Sequence, residues 1–159
     1  ERILARSAKH ISKLIVNIFA NHGYHKKEIN IFGGKQLRPN IHIADIVRFY
    51  SLLINADKKR IDGEIFNVGG KNHTIQEIAE MVKQELGSDI ILNNIRSDDN
   101  RSYHISSKKV KDFLNFEVNF DVRKAIKDLK ETFQKKILIN PLENEFYFNI
   151  KRMKNIALK

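Results

Sequence analysis

The sequence predicts an α/β fold. Short apolar runs at strand spacing alternate with amphipathic runs at helical spacing. Glycine pairs and capping residues sit where these runs change over. Only three short strands can be read, few for a sheet that must face several helices. The chain therefore reads as part of a larger α/β protein.

Ala8, Ile11, Leu14, Ile15, Ile18, Phe19 and His22 recur at helical spacing, and Gly23 is placed to stop that helix. Glu28 to Phe32 reads as a strand entering a turn at Gly33-Gly34. Asp45 or Ala44 then opens a second helix. Its apolar positions Ile46, Val47, Phe49, Tyr50, Leu53 and Ile54 lie nearly all round, the pattern of a well-buried helix. Lys58 to Gly63 is a polar connector, and Ile65 to Val68 reads as a strand. Thr74 with Glu77 three residues on is a capping box. It opens a helix with Ile75, Ile78, Ala79, Val82 and Leu86 on one face, ending at Gly87. Ile90 to Leu92 is another strand, followed by a polar loop from Asn93 to Tyr103. Ser106 or Ser107 caps a short helix through Leu114. Asp121 caps a further one carrying Val122, Ala125, Ile126, Leu129 and Phe133. From Lys135 to Lys159 no period is evident. The expected organisation is a folded portion over 1–134 and a tail over 135–159, with no internal repeat.

Composition narrows the function classes. With 159 residues the chain is long enough for one core. It has no cysteine, which removes disulfide and thiolate chemistry and fits a reducing cytoplasm. No apolar run reaches membrane-span length and no signal-peptide core is present, so no membrane partner is expected. The chain begins with Glu1 rather than Met, which suggests a fragment. A net charge of +10 could serve nucleic acid. However, groupings such as Lys26-Lys27 and Lys58-Lys59-Arg60 are short, dispersed and not interleaved with aromatics, so a solvated basic surface is the plainer reading.

The stretch from Gly33 to Asp45 is the richest in chemistry. Two glycines, Arg38, one of only two prolines and His42 share a polar loop. Pro39 biases Arg38 toward an extended backbone, making it a placed side chain. A planar guanidinium matches phosphate oxygens two bonds at a time; a salt bridge to an acid explains it equally well. Arg101 lies beside Asp98, Asp99 and Asn100, where pairing with its own neighbours is the simpler account. His42, between Ile41 and Ile43, reads as a hydrogen-bonded framework residue, Asp45 as an N-cap and Asn67 as a satisfied buried amide. Gly69-Gly70 allows either a close approach to a cofactor or a turn. There is no glycine-rich dinucleotide loop, no Gly-Lys-Ser phosphate loop, no His-Glu-x-x-His and no Gly-x-Ser-x-Gly. The histidines show no metal-ligand spacing. The spacing Tyr147-x-x-x-Lys151 occurs once, in the tail, away from any nucleotide-binding context.

Three blocks in order carry a resemblance: Ile31 to Asp45, Gly63 to Gly70 followed by Thr74 to Ala79, and Asp99 to Tyr103 followed by Lys109 to Phe116. Together they resemble the C-terminal half of NAD-dependent nucleotide-sugar epimerases and dehydratases, the extended short-chain dehydrogenase/reductases to which UDP-glucose 4-epimerase belongs. The resemblance implies the C-terminal portion of an extended Rossmann-type enzyme, with 1–134 as its substrate-binding part. It implies that NAD and the Tyr-x-x-x-Lys catalytic pair belong to an N-terminal half absent here, so this chain alone holds no catalytic and no cofactor-binding residue. Arg38 and Arg101 match two arginines that grip the diphosphate of a nucleoside-diphosphate sugar. Asn17 matches, more loosely, an asparagine that contacts the nucleotide sugar. The family is often homodimeric through N-terminal helices that this chain does not contain. The rival expectations are a non-enzymatic basic nucleic-acid-binding module and an inactive gene remnant.

Overall fold

The structure, a computed structural model, describes residues 14–98 and 101–156. Its elements run α1 (Ile15–Lys26), β1 (Glu28–Phe32), β2 (Leu37–Arg38), α2 (Ile43–Asn55), α3 (Lys58–Ile61), β3 (His73–Thr74), α4 (Ile75–Leu86), β4 (Ile91–Ile95), α5 (Lys108–Leu114), α6 (Val122–Gln134), a 3₁₀ turn (Glu145–Tyr147) and α7 (Asn149–Asn155). The α/β class follows the sequence expectation. The strands form two separate pairs instead of one sheet. β1 and β4 are parallel, with Glu28 opposite Ile91 and Phe32 opposite Ile95. β2 and β3 are antiparallel, with Leu37 opposite Thr74 and Arg38 opposite His73.

The main core lies where α1, α4 and α6 pack together over the inward face of β1. Alternation buries Ile29 and Ile31 there, and α4 adds Ile78, Ala79 and Val82, all fully buried. Fully burying a large aliphatic side chain contributes about 1.5–3 kcal/mol. A smaller second cluster joins Phe49 of α2, Val110 of α5 and Phe116.

Several local expectations are corrected. Ala8 and Ile11 lie outside the described residues. The first helix does not stop at Gly23: it runs on to Lys26, and Lys27 closes it in the left-handed conformation. Gly23 is instead a packing residue, as its neighbours show below. α2 starts two residues earlier than Asp45, because His42 is its cap. Its Nδ1 accepts from the Ala44 N–H at 3.2 Å. α2 is also not buried all round: among its side chains only Asp45 and Phe49 are buried, while Tyr50 is 61% and Ile54 83% exposed.

The Ile65–Val68 strand does not form. The stretch keeps period-two alternation, turning Phe66 and Val68 into the second cluster while Ile65 and Asn67 face solvent, but it has no ladder partner among the described residues. Asn67 is therefore not a buried amide. The segment from Lys135 onward packs against the rest of the chain. Leu138 is buried in the main core, and the Asn21 amide donates to the Pro141 carbonyl at 3.0 Å.

Candidate functional site

β1 delivers the chain into Gly33 and Gly34, both in the left-handed region (φ 83° and 97°), where a glycine avoids the Cβ penalty. This sharp turn is pinned on three sides. Gly33 N–H donates to the Ile95 carbonyl at 2.9 Å. The Gly34 and Gln36 carbonyls accept from Gln76 and Ile75 at the start of α4, at 3.0 and 3.1 Å. The loop after β4 then closes over β2. Leu37 N–H donates to Ser102 Oγ at 2.9 Å, and Tyr103 N–H donates back to the Leu37 carbonyl at 3.1 Å.

Arg38 is fixed within this frame. Its Nη1 donates to the carbonyls of Leu37 (2.9 Å) and Arg101 (2.7 Å), and its guanidinium lies 5.5 Å from the centroid of the Tyr103 ring. The alternative of a carboxylate partner is not realised among the described residues: Arg38 is held by carbonyls and an aromatic face, which leave its charge uncompensated. Asn40 Nδ2 donates to the Arg38 carbonyl at 2.7 Å, and the Asn40 carbonyl accepts from Gly70 N–H at 2.8 Å. Gly70 thus ties the third loop to the same place by its backbone.

These loops wall a cavity of about 510 Å³ together with α1 and the start of α6. That volume suits a small-molecule ligand. Arg38 and Asn17 both line it. Asn17, on α1, is 8% exposed and its amide has no hydrogen-bond partner among the described residues. Arg101 is brought next to Arg38 through its backbone carbonyl. Its side chain is exposed and is not part of the cavity wall. Lys71 and His73 also line the cavity. The sequence alone does not single them out: what places His73 there is the long-range pairing of β3 with β2, and Lys71 lies two residues before it.

His42 has the framework role expected of it. With Nδ1 accepting the cap bond, its proton sits on Nε2, which donates to Asp128 Oδ2 on α6 at 3.1 Å. Asp45 is not a cap. Its fully buried carboxylate accepts from the Asn119 and Phe120 N–H groups at 3.0 and 2.9 Å and pairs with Arg48 at 2.6 Å. Both residues fix the segment before α6 against α2. No group of three His, Asp or Glu side chains among the described residues could hold a metal ion. No helix among them is long and apolar enough to cross a membrane.

Residues 4–69 match the NAD dependent epimerase/dehydratase family. Among solved structures, UDP-glucose 4-epimerase from Thermotoga maritima, determined with UDP-glucose, is 26% identical with a TM-score of 0.65, covering 79% of this chain and 40% of that one. ADP-L-glycero-D-manno-heptose-6-epimerase from Helicobacter pylori is 22% identical (TM-score 0.66; 77% and 38% covered). dTDP-glucose 4,6-dehydratase from Bacillus anthracis, in complex with NAD, is 16% identical (TM-score 0.64; 82% and 42% covered). No curated protein sequence matches the chain. The chain spans about 40% of the length of the structures it matches, and over that length it has the fold of these extended dehydrogenase/reductases.

A pyrophosphate cradle needs a strand, a glycine loop and an open helix N-terminus in succession. Here the Gly33-Gly34 turn leads into β2, and α2, α4 and α6 are capped by their own flanking side chains, His42, Thr74 and Asp121.

Proposed function

We propose that this chain, part of an NAD-dependent epimerase/dehydratase by its family match and its fold, is the C-terminal portion that holds a nucleoside-diphosphate sugar for chemistry carried out elsewhere in the enzyme. The observation that carries the reading is Arg38. It is an arginine on the short strand β2, anchored through Nη1 on two carbonyls, without a carboxylate partner among the described residues, and lining a ligand-sized cavity. A guanidinium so held is pre-organised for a diphosphate, since its remaining N–H groups can fork onto two oxygens. In this reading Arg101 approaches the same diphosphate from the cavity's edge, and the Asn17 amide meets the nucleotide sugar from α1. The similarity to the Thermotoga maritima UDP-glucose 4-epimerase supports the ligand class.

NAD and the proton-transferring pair belong, in this reading, to the other portion of the enzyme, and the cytoplasm is its compartment. Titration calorimetry of the chain with UDP-glucose tests the assignment. Arg38→Ala is expected to weaken binding by about 1.5–3 kcal/mol, the range for a charged hydrogen bond, while the isolated chain shows no epimerase turnover even with NAD added. Unchanged affinity in Arg38→Ala, or turnover by the chain alone, would overturn the reading.

A further inference from the structure

His73 faces the same cavity in an arrangement that neither the fold nor its caps require. It is directly opposite Arg38 in the antiparallel β2–β3 pair. Residues opposite one another in such a ladder project from the same face, and both side chains line the cavity. His73 is 8% exposed. Its Nδ1 is wholly buried without a hydrogen-bond partner, and Glu77 Oε2 on α4 lies 3.7 Å from it. Nε2 likewise makes no hydrogen bond among the described residues. A buried imidazole nitrogen left without a partner is costly to keep.

The surrounding charges decide what it can do. From β2 the facing group is Arg38, from α4 it is Glu77, and from its own segment Lys71; His42 and Asp121 line other parts of the cavity. Arg38 and Lys71 make this part of the cavity positive. A bound anion reverses that balance. Glu77 is poised to support the change: the Thr74 backbone N–H holds its carboxyl below the ordinary glutamate range, so it stays ionised beside Nδ1.

We propose that His73 is a second contact for the anionic part of the ligand, beside Arg38, and that it takes up a proton when the ligand binds, with Nε2 donating to an anionic oxygen and Nδ1–H facing Glu77. This rests on the nucleoside-diphosphate reading of the cavity and adds to it a residue and a pH dependence. The sign follows from linkage: a site that gains a proton on binding binds more tightly as pH falls.

The test is calorimetric titration of the 159-residue chain with UDP-glucose at pH 6 and pH 8. This probe has no phosphate monoester, so its own charge is constant over that span. Wild type is expected to bind at least about fivefold more tightly at pH 6, over the range in which a histidine changes charge. Titrations at pH 7 in buffers of different ionisation enthalpy are expected to show proton uptake. His73→Gln, which cannot charge, is expected to lose the pH dependence and to bind about fivefold more weakly at pH 6. His73→Lys, permanently charged, is expected to restore tight binding without a pH dependence.

If wild type takes up no proton and binds equally at both pH values, the inference is overturned whether or not the variants fold. If Arg38→Ala weakens binding but His73→Gln keeps wild-type affinity and pH slope, this inference fails and the proposed function stands. If Arg38→Ala has no effect, or the chain binds no UDP-glucose, the proposed function fails first and this inference with it.

Discussion

Gly23 shows how one residue can be misread when only its helix propensity is considered. Glycine inside a helix costs about 1 kcal/mol relative to alanine, so the sequence suggests a stop. In the fold it sits against tightly packed side chains. A Cβ there would lie 3.1 Å from Ile90 Cδ1, 3.2 Å from Val82 Cγ1 and 3.3 Å from Ile29 Cδ1. All three side chains are fully buried, one on β1, one on α4 and one just before β4. They cannot all retreat together, and overpacking of this kind costs about 1–3 kcal/mol. Gly23→Ala is therefore expected to destabilise the chain by about 1 kcal/mol despite its better helix propensity, as measured by urea unfolding; a stabilised variant would show that the three contacts yield. The same lesson applies to Asp45. Its position near a helix start is legible, but its role depends on the N–H groups of Asn119 and Phe120, more than seventy residues away.

At the level of elements, the cap of α4 is the feature that sequence and structure share most closely. Thr74 Oγ1 accepts from Glu77 N–H at 3.1 Å and Glu77 Oε2 accepts from Thr74 N–H at 2.7 Å, the reciprocal pair expected from the spacing alone. It is legible because every partner lies within four residues. Thr74→Ala is expected to cost about 1 kcal/mol. The Glu77 carboxyl titrates below its ordinary range because of the Thr74 backbone N–H. Its folded value thus lies below its unfolded one, so its contribution is present at neutral pH and lost as pH falls through the folded value. Glu77→Gln keeps an acceptor for Thr74 but cannot titrate. It should be less stable than wild type at pH 7, and the gap should narrow at an acidic pH, as the wild-type carboxylate takes up its proton. Denaturant midpoints at the two pH values check this; a gap that persists or widens in acid would exclude the carboxylate as its source. By contrast, the burial of α2 was misread because an apolar surface identifies a face that can be covered without identifying what covers it.

Across the whole molecule, what was legible follows sequence distance. The α/β class, the Gly33-Gly34 turn, β1, and the caps Thr74 and Asp121 rest on local chemistry and appear as expected. The division of the strands into two pairs, the unpaired Ile65–Val68 stretch and the meeting of Arg38, His73 and Asn17 in one cavity depend on contacts between distant segments, for which a single sequence has no local signal.

The same distances divide the stability. The main core draws on α1, β1, α4 and α6, whereas the second cluster rests on three buried side chains, Phe49, Val110 and Phe116. Phe49 is its hub, with ring centroids 5.2 Å from Phe116 and 6.4 Å from Phe66. A cluster with few buried apolar contacts opens locally before the whole molecule unfolds. Phe49→Ala removes about 3–5 kcal/mol of packing from it. That loss should appear in native-state hydrogen exchange as lost protection in α2 and α5, with the amides of α1 and α4 keeping most of theirs. Equal loss everywhere would mean that the two clusters unfold as one unit. Arg38 precedes α2 in the chain, Ile46 of α2 lines the cavity, and the His42 cap ties α2 to α6. A loosened second cluster should therefore also weaken UDP-glucose binding while the main core remains folded.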